Sequence, residues 1–560
     1  MDGLRALRRT QRRVRRHGHN APMRRPVALA VALELALALA LTAPAGAQPG
    51  SAPAPSTAPS TAPAPAPAPA EPLPPAVLQA LDAAHLPPDA LAAVALPLGH
   101  DAPAWGWRER VPMAPASTMK LVTSVVALDT LGPDLRGRTA LLTAAPLAGG
   151  VLRGDLVLQG GGDADLGVPQ LWALLLELRQ QGVREIRGDL VLDRTRYRPQ
   201  RTDLGRAPFD DSPEFPYNVI PDALMPAGDL LPLALQAGRH GVHAATLPPL
   251  PGLEIDSRMT LVARPCDDWD SGWRPARVSH HAGRTRIELD GSFPRGCRVR
   301  TALQLIDRDE LAARLFAALW HQLGGRWRGM DGQGRWLGRV RDGPAPAGAR
   351  VLAEHEARPW GELLRPMNKH SDNVLARLLY LELGVPAMAA HPQATTAELA
   401  AAAVRQWFEA HGIDDAGLVL DNGSGLSRRE RITPLQMASL LAAAWAGPHA
   451  ADLAMSLPVA GVDGTLHRRL QGSPAAGWAR LKTGSLRDAA ALAGYVRDAQ
   501  GRPWAVAMMV NHEPIAGAQA VLDALVDSLT RGGEPALARA ADAPPRPRLQ
   551  AATARPSGAR

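Results

Sequence analysis

The most regular pattern of apolar and polar positions in this chain lies between Pro115 and Leu131. Pro115 stands near its start, Gly132-Pro133 ends it, and the apolar residues share one broad helical face: Met119, Leu121, Val122, Val125, Val126 and Leu128. The pattern predicts a helix over 115–131, with Ser117 in its first turn. Ser117 and Lys120 are then three residues apart, so the hydroxyl and the amine project from one face as neighbours.

A strand-rich stretch follows from about residue 136 to residue 346, where short alternating runs are separated by Gly and Pro turns. Within it the sequence of residues 153–158 recurs at residues 187–192. The two copies flank a helical pattern at Gln170–Arg179, which predicts two equivalent strands on either side of a helix. We interpret residues 136–346 as one or two inserted β-rich domains.

Helical patterns return beyond residue 360. An apolar run with helical spacing follows Ser371, and the remaining patterns predict helices and strands in the order helix Thr396–His411, strands Ala491–Val496 and Trp504–Val510, and helix Ala520–Leu529. Lys482 lies shortly before the first of these strands. We therefore expect its motif at a strand edge, where an extended peptide can pair.

The charge of the chain is concentrated at its N-terminal end. Residues 1–25 contain nine arginines against one aspartate, which accounts for the net charge of +8. The rest of the chain is close to neutral, so the sequence does not indicate a basic patch for nucleic acid.

The basic start precedes a short apolar run, Val27–Thr42, and a small-residue sequence that ends at Ala47. This order predicts a secretory signal peptide over residues 1–47, cleaved after Ala47, and a periplasmic or secreted protein. Met23 begins a compact signal peptide by itself, which favours residues 1–22 as an over-extended gene start. The alternative is a membrane anchor, but the run is short and carries Glu34, so we expect no transmembrane segment in the mature protein.

Segments of low complexity flank the remaining chain. Residues 48–74 are dominated by Pro, Ala, Ser and Thr, and residues 533–560 by Ala, Pro and Arg. Such compositions cannot bury enough apolar surface to offset the entropy of ordering, which predicts a disordered linker and a disordered tail.

Cys266 and Cys297 are the only cysteines in the chain. In an oxidising compartment this pair predicts one disulfide. Buried free thiols or a metal site are the alternatives, and no CxxC or HExxH sequence supports the metal site.

Lysine is almost absent, and its positions point to chemistry. Only three of the 62 Lys and Arg residues are lysines, and each lies in or beside a short motif: Ser117-Thr118-Met119-Lys120, Lys369 before Ser371-Asp372-Asn373, and Lys482-Thr483-Gly484-Ser485. A desolvated lysine amine can become neutral, whereas a guanidinium cannot. A site that needs an amine base must therefore keep lysine.

The first two motifs supply the parts of a serine acylation site. Ser117 is the candidate nucleophile and Lys120 the base that removes its proton. Lys482 would lower the pKa of Lys120 as a second nearby cation. Ser371 can relay a proton to the leaving amine, and Asn373 can bond both Lys120 and a substrate amide. We expect Asp372 to point away and anchor the loop.

The third motif supplies groups for binding an acyl peptide. The hydroxyls of Thr483 and Ser485, backed by Lys482, can bind a free carboxylate. Gly484 lets a substrate backbone approach closely. The backbone N–H groups of Ser117 and Ser485 are the candidate oxyanion hole.

These motifs together resemble the penicillin-recognising serine peptidases. More narrowly, the chain resembles the D-alanyl-D-alanine carboxypeptidase/endopeptidase family of penicillin-binding protein 4 type, through Met367–Asn373, Asp421–Ser427 and Asp463–Leu466. The resemblance covers about residues 75–530. It implies an α/β (α+β) fold: a transpeptidase-like domain at 75–135 and 347–532, with an antiparallel sheet between helices, interrupted by the insertion at 136–346.

The resemblance also implies the reaction. A protein of this kind hydrolyses D-alanyl-D-alanine stem peptides or cross-links of peptidoglycan through an acyl-enzyme, here on Ser117. β-Lactams are expected to inhibit it by acylating Ser117. No metal or cofactor is implied.

Two other functions are compatible with the same fold. A β-lactamase would need a deacylating glutamate between the second and third motifs; Glu382, Glu398 and Glu409 have contexts of solvated helix faces, and Glu430 lies among arginines that can pair with it. A catalytically silent cell-wall-binding protein is the second alternative. The retention of Ser117 and Lys120 argues against it.

Overall fold

The computed structural model describes residues 73–329, 331 and 339–532. The predicted signal peptide, all but the last two residues of the predicted linker, and the predicted tail lie outside the described residues. Within the described ranges, no helix has both the length and the apolar character needed to cross a bilayer.

The described part of the chain alternates between helical and strand-rich segments. Its α-helices are α1 (Pro75–Ala83), α2 (Met119–Leu131), α3 (Val168–Gln180), α4 (Arg308–Gln322), α5 (Trp360–Lys369), α6 (Asn373–Gly384), α7 (Thr396–Ala410), α8 (Pro434–Ala446), α9 (Ala450–Ser456) and α10 (Ala518–Thr530). Its strands are β1 (Leu91–Pro97), β2 (Trp105–Trp107), β3 (Arg138–Thr143), β4 (Leu147–Ala148), β5 (Val151–Leu152), β6 (Leu156–Gly161), β7 (Glu185–Ile186), β8 (Leu190–Asp193), β9 (Leu231–Ala237), β10 (Val242–Thr246), β11 (Leu253–Ser257), β12 (Thr260–Val262), β13 (Trp273–His281), β14 (Arg284–Pro294), β15 (Arg298–Leu303), β16 (Arg326–Trp327), β17 (Val340–Asp342), β18 (Arg350–Glu356), β19 (Arg480–Ser485), β20 (Ala489–Arg497) and β21 (Pro503–Asn511).

Five strands from the two ends of the described chain form one antiparallel sheet, here called the main sheet. Its order is β19-β20-β21-β1-β2, so β19 is an edge strand. Helices cover both of its faces: α1 and α10 share one hydrophobic core with it, and α2 and α8 share another. This is the antiparallel sheet between helices that the resemblance implied.

The two cores of the main sheet follow from the period-two alternation of its strands. Along β1, Ala93 and Ala95 pack toward α1 and α10, while Ala92 and Val94 pack toward α2 and α8. Burial of a larger side chain such as valine in either core contributes roughly 1.5–3 kcal/mol. Because both faces are covered, the central strands have continuous apolar sequences rather than alternating ones.

The strands between residues 138 and 356 form four further sheets: β17-β8-β6-β3-β18, β16-β7-β5-β4, β10-β9-β15, and β11-β14-β12 with β13 paired to β14. The internal repeat is visible in the first of these. β6 and β8 pair in parallel, with Leu156 opposite Leu190, and α3 connects them. β18 pairs with β3, so this sheet continues to Glu356, ten residues beyond the boundary expected from the sequence.

Cys266 and Cys297 form a disulfide, as the sequence predicted. It links the short 3₁₀ segment Cys266–Gly272 to the start of β15. The two cysteines are 31 positions apart in the chain. The bond therefore restricts a substantial loop in the unfolded state.

We predict that the double variant Cys266→Ser, Cys297→Ser loses about 3–4 kcal/mol of unfolding free energy, because the unfolded chain regains the entropy of the open loop. Trp269 and Trp273 follow Cys266 closely, so tryptophan fluorescence in a urea titration should report the change. Wild-type protein kept reduced is the control and should unfold at the same urea concentration as the variant. Equal midpoints for the variant and the oxidised wild type would contradict the prediction.

Candidate active site

Ser117 lies in a tight turn that precedes α2. The turn, Ala116–Thr118, is 3₁₀, and the α-helix begins only at Met119, later than the sequence pattern predicted. The Thr118 amide donates to the Pro115 carbonyl at 3.2 Å, and Ala116 has a φ of +46°. The three-residue spacing still brings the two side chains together: Lys120 Nζ lies 2.9 Å from Ser117 Oγ.

Lys120 is completely buried and has three hydrogen-bonding partners. Its amine lies 2.9 Å from Ser117 Oγ and 2.7 Å from Asn373 Oδ1, and it also donates to the Ser424 carbonyl. Burial lowers the pKa of Lys120 far below its usual value, and the nearby Lys482 lowers it further. A neutral amine has two N–H bonds and one lone pair. If Asn373 and Ser424 accept the N–H bonds, the lone pair is left for the Ser117 hydroxyl.

Lys482 and Ser371 form the second pair of the site. Lys482 Nζ donates to Ser371 Oγ at 2.8 Å and to the Thr483 carbonyl at 2.9 Å. Burial lowers the pKa of Lys482 to about 7. Ser371 has a φ of +60°, a conformation that costs roughly 1–3 kcal/mol for a residue other than glycine. Strain of this kind persists where surrounding contacts fix the backbone.

Asp372 points away from the reacting groups, as expected. Its Oδ1 accepts the backbone amides of Val374 at 2.8 Å and Leu375 at 3.0 Å. Asp372 is the N-cap of α6, and these two bonds fix the junction between α5 and α6 that carries Ser371 and Asn373.

The amide of Asn373 is oriented from both ends. Its Oδ1 accepts from Lys120, and its Nδ2 donates to the Tyr217 carbonyl at 3.1 Å. Tyr217 belongs to the strand-rich 138–356 region. That region therefore contacts a predicted catalytic side chain directly.

Tyr217 begins a run of four backbone carbonyls, 217–220, that we call the strap. Arg377, one turn after Asn373 on α6, donates to the carbonyls of Asn218 at 3.2 Å and Val219 at 2.7 Å. Arg308 of α4 donates to the Ile220 carbonyl at 3.0 Å. Each strap carbonyl thus accepts a side-chain hydrogen bond, which holds the strap beside the site. The contact between the strap and Asn373 was not predicted from the sequence, because hydrogen bonds to backbone carbonyls leave no signature in a sequence.

The Asp421–Ser427 segment brings the Ser424 carbonyl to the Lys120 amine, from which it accepts a hydrogen bond. Gly423 and Gly425 have φ values of +72° and +82°. A Cβ at Gly425 would lie 1.8 Å from the Ala116 carbonyl oxygen, so only glycine allows the segment to pass beside the Ser117 turn.

Glu430 anchors the same segment. The sequence suggested arginine partners for it, but its Oε1 accepts the backbone amides of Asn422 at 3.0 Å and Gly423 at 2.9 Å. Burial raises the pKa of Glu430. This glutamate therefore supports the loop through backbone amides.

The expectation that Glu382 lies on a solvated face is wrong. Glu382 is buried, pairs with Arg196 and accepts a hydrogen bond from the Tyr197 hydroxyl. Both partners come from the strand-rich region, so the helical pattern around Glu382 could not reveal them. Of the remaining two glutamates, Glu398 belongs to the capping box of α7 and Glu409 is exposed.

The Lys482 motif lies on the edge strand β19 of the main sheet, as predicted. Thr483 is half-buried, Ser485 is exposed and Lys482 is fully buried. A Cβ at Gly484 would lie 2.6 Å from the Pro115 carbonyl oxygen and 3.1 Å from the Ser117 amide nitrogen. Gly484 therefore lets the strand pass close to the Ser117 turn, a role that the sequence did not suggest.

The structure thus connects six of the predicted residues by hydrogen bonds in two groups. Lys120 joins Ser117 to Asn373, and Lys482 joins Ser371 to the strand that carries Thr483 and Ser485. The first group holds the candidate nucleophile, Ser117, beside a desolvated amine. The second holds a buried lysine amine at the edge strand.

Comparison with known proteins gives a consistent assignment. Residues 76–531 match the D-Ala-D-Ala carboxypeptidase 3 (S13) family. The chain is 31% identical over 411 residues to a D-alanyl-D-alanine carboxypeptidase of Actinomadura sp. (strain R39), an alignment that covers 70% of this chain and 72% of the relative. It is 28% identical over 404 residues to D-alanyl-D-alanine carboxypeptidase DacB of Haemophilus influenzae, covering 71% and 80%.

A solved structure agrees with these relatives. The crystal structure of penicillin binding protein 4 (dacB) from Haemophilus influenzae is similar with a TM-score of 0.66 at 25% identity, covering 81% of this chain and 99% of that one. The similarity therefore includes the strand-rich region as well as the main sheet. The chain belongs to the D-Ala-D-Ala carboxypeptidase 3 (S13) family and is a serine peptidase of the penicillin-binding protein 4 type.

Proposed function

We propose that this enzyme removes the terminal D-alanine from peptidoglycan stem peptides, and cleaves D-alanyl cross-links between stems, through an acyl-enzyme on Ser117. The observation that carries this proposal is the 2.9 Å contact between Ser117 Oγ and the fully buried Lys120 amine. Burial favours the neutral amine, and a neutral amine can take the serine proton.

Acylation begins when Ser117 Oγ attacks the carbonyl carbon between the two D-alanines and Lys120 takes the hydroxyl proton. The backbone amides of Ser117 and Ser485 stabilise the negative charge on the carbonyl oxygen. The C–N bond then breaks, and the departing amine receives the proton from Lys120 through Ser371. The products of this half-reaction are an ester on Ser117 and free D-alanine.

Deacylation regenerates the enzyme with water. Lys120 accepts a proton from the water as it attacks the ester carbonyl, and Ser117 leaves with that proton. Asn373 holds the substrate amide, since its side chain is fixed between Lys120 and the Tyr217 carbonyl. Thr483 and Ser485, with the charge of Lys482 behind them, bind the terminal carboxylate.

The fold supports the assignment of different roles to two parts of the chain. We assign the chemistry to a discontinuous catalytic domain, residues 75–135 and the region from about 357 to 532, and treat the strand-rich region between them as an insertion. The insertion contributes the strap that contacts Asn373. Export by the N-terminal signal sequence, with cleavage after Ala47, would bring the enzyme to peptidoglycan in the periplasm or outside the cell.

Release of D-alanine from a diacyl-L-lysyl-D-alanyl-D-alanine peptide tests the proposed reaction. We expect Ser117→Ala and Lys120→Arg to lower kcat/KM at least a thousandfold, because one lacks the nucleophile and the other lacks a group that can become neutral. Ser528→Ala, which removes a hydroxyl from α10, is the matched control and should retain wild-type activity.

A cross-linked dimer of stem peptides, assayed by chromatography under the same conditions, separates the two activities of the proposal. Cleavage of the dimer by wild type and not by Ser117→Ala supports the endopeptidase activity. Rapid hydrolysis of penicillin without cleavage of either substrate would overturn the proposal in favour of a β-lactamase.

The pH dependence of acylation follows from the two buried lysines. The active form needs a neutral Lys120 and a charged Lys482. We predict that the second-order rate of acylation by penicillin rises as pH increases through the lowered pKa of Lys120, and falls as pH increases through the pKa of Lys482 at about 7. Stopped-flow rates between pH 4 and pH 10 would show both limbs.

Lys482→Arg identifies the group responsible for the falling limb. Arginine keeps its charge throughout this pH range, so the variant should show no decline above neutral pH, whatever its absolute rate. A falling limb at the same pH in wild type and in Lys482→Arg would assign it to another group.

A further inference from the structure

The third lysine of the chain has no contact with the reacting groups described so far, yet it is almost as well buried as the other two. Lys369 is 7% exposed at the end of α5. Its amine donates to Asp463 Oδ2 at 2.6 Å and to the Leu457 carbonyl at 2.9 Å. Lys369 thus connects the end of the helix before Ser371 to the segment that contains Asp463.

Asp463 uses its second oxygen to close a turn. Its Oδ1 accepts the Val459 amide at 2.8 Å. The next residue, Gly464, has a φ of +56°, and a Cβ there would lie 2.6 Å from the Lys369 carbonyl oxygen. The turn is therefore held against the end of α5 by an ion pair and by a close backbone contact that only glycine allows.

The turn places one side chain beside the edge strand β19. Thr465 is exposed, and its Oγ1 accepts a hydrogen bond from Thr483 Oγ1 at 2.8 Å. Thr483 is the residue of β19 to which we assign carboxylate binding. The hydroxyl of Thr465 thus lies beside that of Thr483 on the edge strand, although the two residues come from separate parts of the chain.

A pair of hydroxyls in this arrangement suits a carboxylate. In the free protein one hydroxyl donates to the other. Each hydroxyl can rotate to donate one hydrogen bond to an anion, and a carboxylate has two oxygens to accept them. Hydrogen bonds to a charged group are stronger than those between neutral groups, so the Thr465 hydroxyl, as a donor additional to Thr483 and Ser485, would be worth roughly tenfold in recognition.

We propose that Thr465 is a substrate-binding residue. Its hydroxyl and that of Thr483 together bind the terminal carboxylate of the peptide substrate, and the Lys369–Asp463 ion pair is the positioning element that holds Thr465 in place. This inference rests on the proposed function and extends it to a residue outside the three motifs. It also gives the third lysine a function: to fix the turn that completes the carboxylate site.

The test compares two substrates that differ only in the terminal charge. Diacyl-L-lysyl-D-alanyl-D-alanine and its C-terminal methyl ester are assayed with wild type, Thr465→Val and Thr465→Ser, at enzyme concentrations that resolve the slower ester. Valine removes the hydroxyl at nearly constant volume, and serine keeps it. We expect Thr465→Val to lose about tenfold in kcat/KM on the acid and less than twofold on the ester.

Thr465→Ser should stay within about threefold of wild type on both substrates. An equal loss on acid and ester in Thr465→Val, or no loss on the acid, would overturn the proposal. If wild type cleaves the D-alanyl-D-alanine bond of neither substrate, the proposed function itself fails, and this inference fails with it.

The positioning role of the ion pair is tested by a double-mutant cycle. Asp463→Asn alone should reduce the preference for the acid over the ester. Introduced into Thr465→Val, it should cause little further loss of that preference, because it acts through Thr465. If the double variant loses the preference by the sum of the two single losses, Asp463 acts independently of Thr465. That result would contradict the positioning role.

Asp498→Asn is the matched control for this cycle. Asp498 also accepts hydrogen bonds from backbone amides and pairs with a cation, Arg502. It follows the last residue of β20, whereas the residue paired with Ser485 lies near the start of that strand. We expect it to lower the melting temperature without changing the ratio of acid to ester activity. A change in that ratio as large as that in Asp463→Asn would show that loss of stability alone explains the effect, and would overturn the positioning role.

Discussion

The burial of the Lys120 amine is the constraint on which the rest of this site depends. An amine in water is protonated near neutral pH and cannot act as a base. Enclosed by α2, α6 and the Ser424 segment, Lys120 has lost its hydration, and its remaining partners are two oxygen acceptors and the Ser117 hydroxyl. Desolvation of one side chain thus converts an ordinary serine into a candidate nucleophile.

Burial of this kind requires close backbone packing around the site. Gly425 and Gly484 both stand where a Cβ would collide with the turn before α2, so the loop and the edge strand meet that turn without side chains between them. The strap from the strand-rich region closes another side by fixing Asn373. A site made by two helices, one edge strand and the adjoining loops is therefore held together by contacts between residues that lie far apart in sequence.

The sequence allowed prediction of those features that are local or periodic. The pairing of Ser117 with Lys120 follows from a three-residue spacing, and β20, β21 and α7 follow from apolar patterns that tertiary contacts reinforce. The strap, the Ser424 carbonyl and the partners of Glu382 could not be predicted, because they depend on backbone groups or on residues from the strand-rich region. The late start of α2 was missed because a 3₁₀ turn and an α-helix share the same three-residue neighbours.

The intact mass of the mature protein after exposure to benzylpenicillin tests the central claim most directly. The account predicts one stable adduct on wild type, located on Ser117 by peptide mapping, and no adduct on Lys120→Arg in the same time. Acylation of Lys120→Arg at the wild-type rate would show that the buried amine is not the base, and an adduct on another residue would show that Ser117 is not the nucleophile.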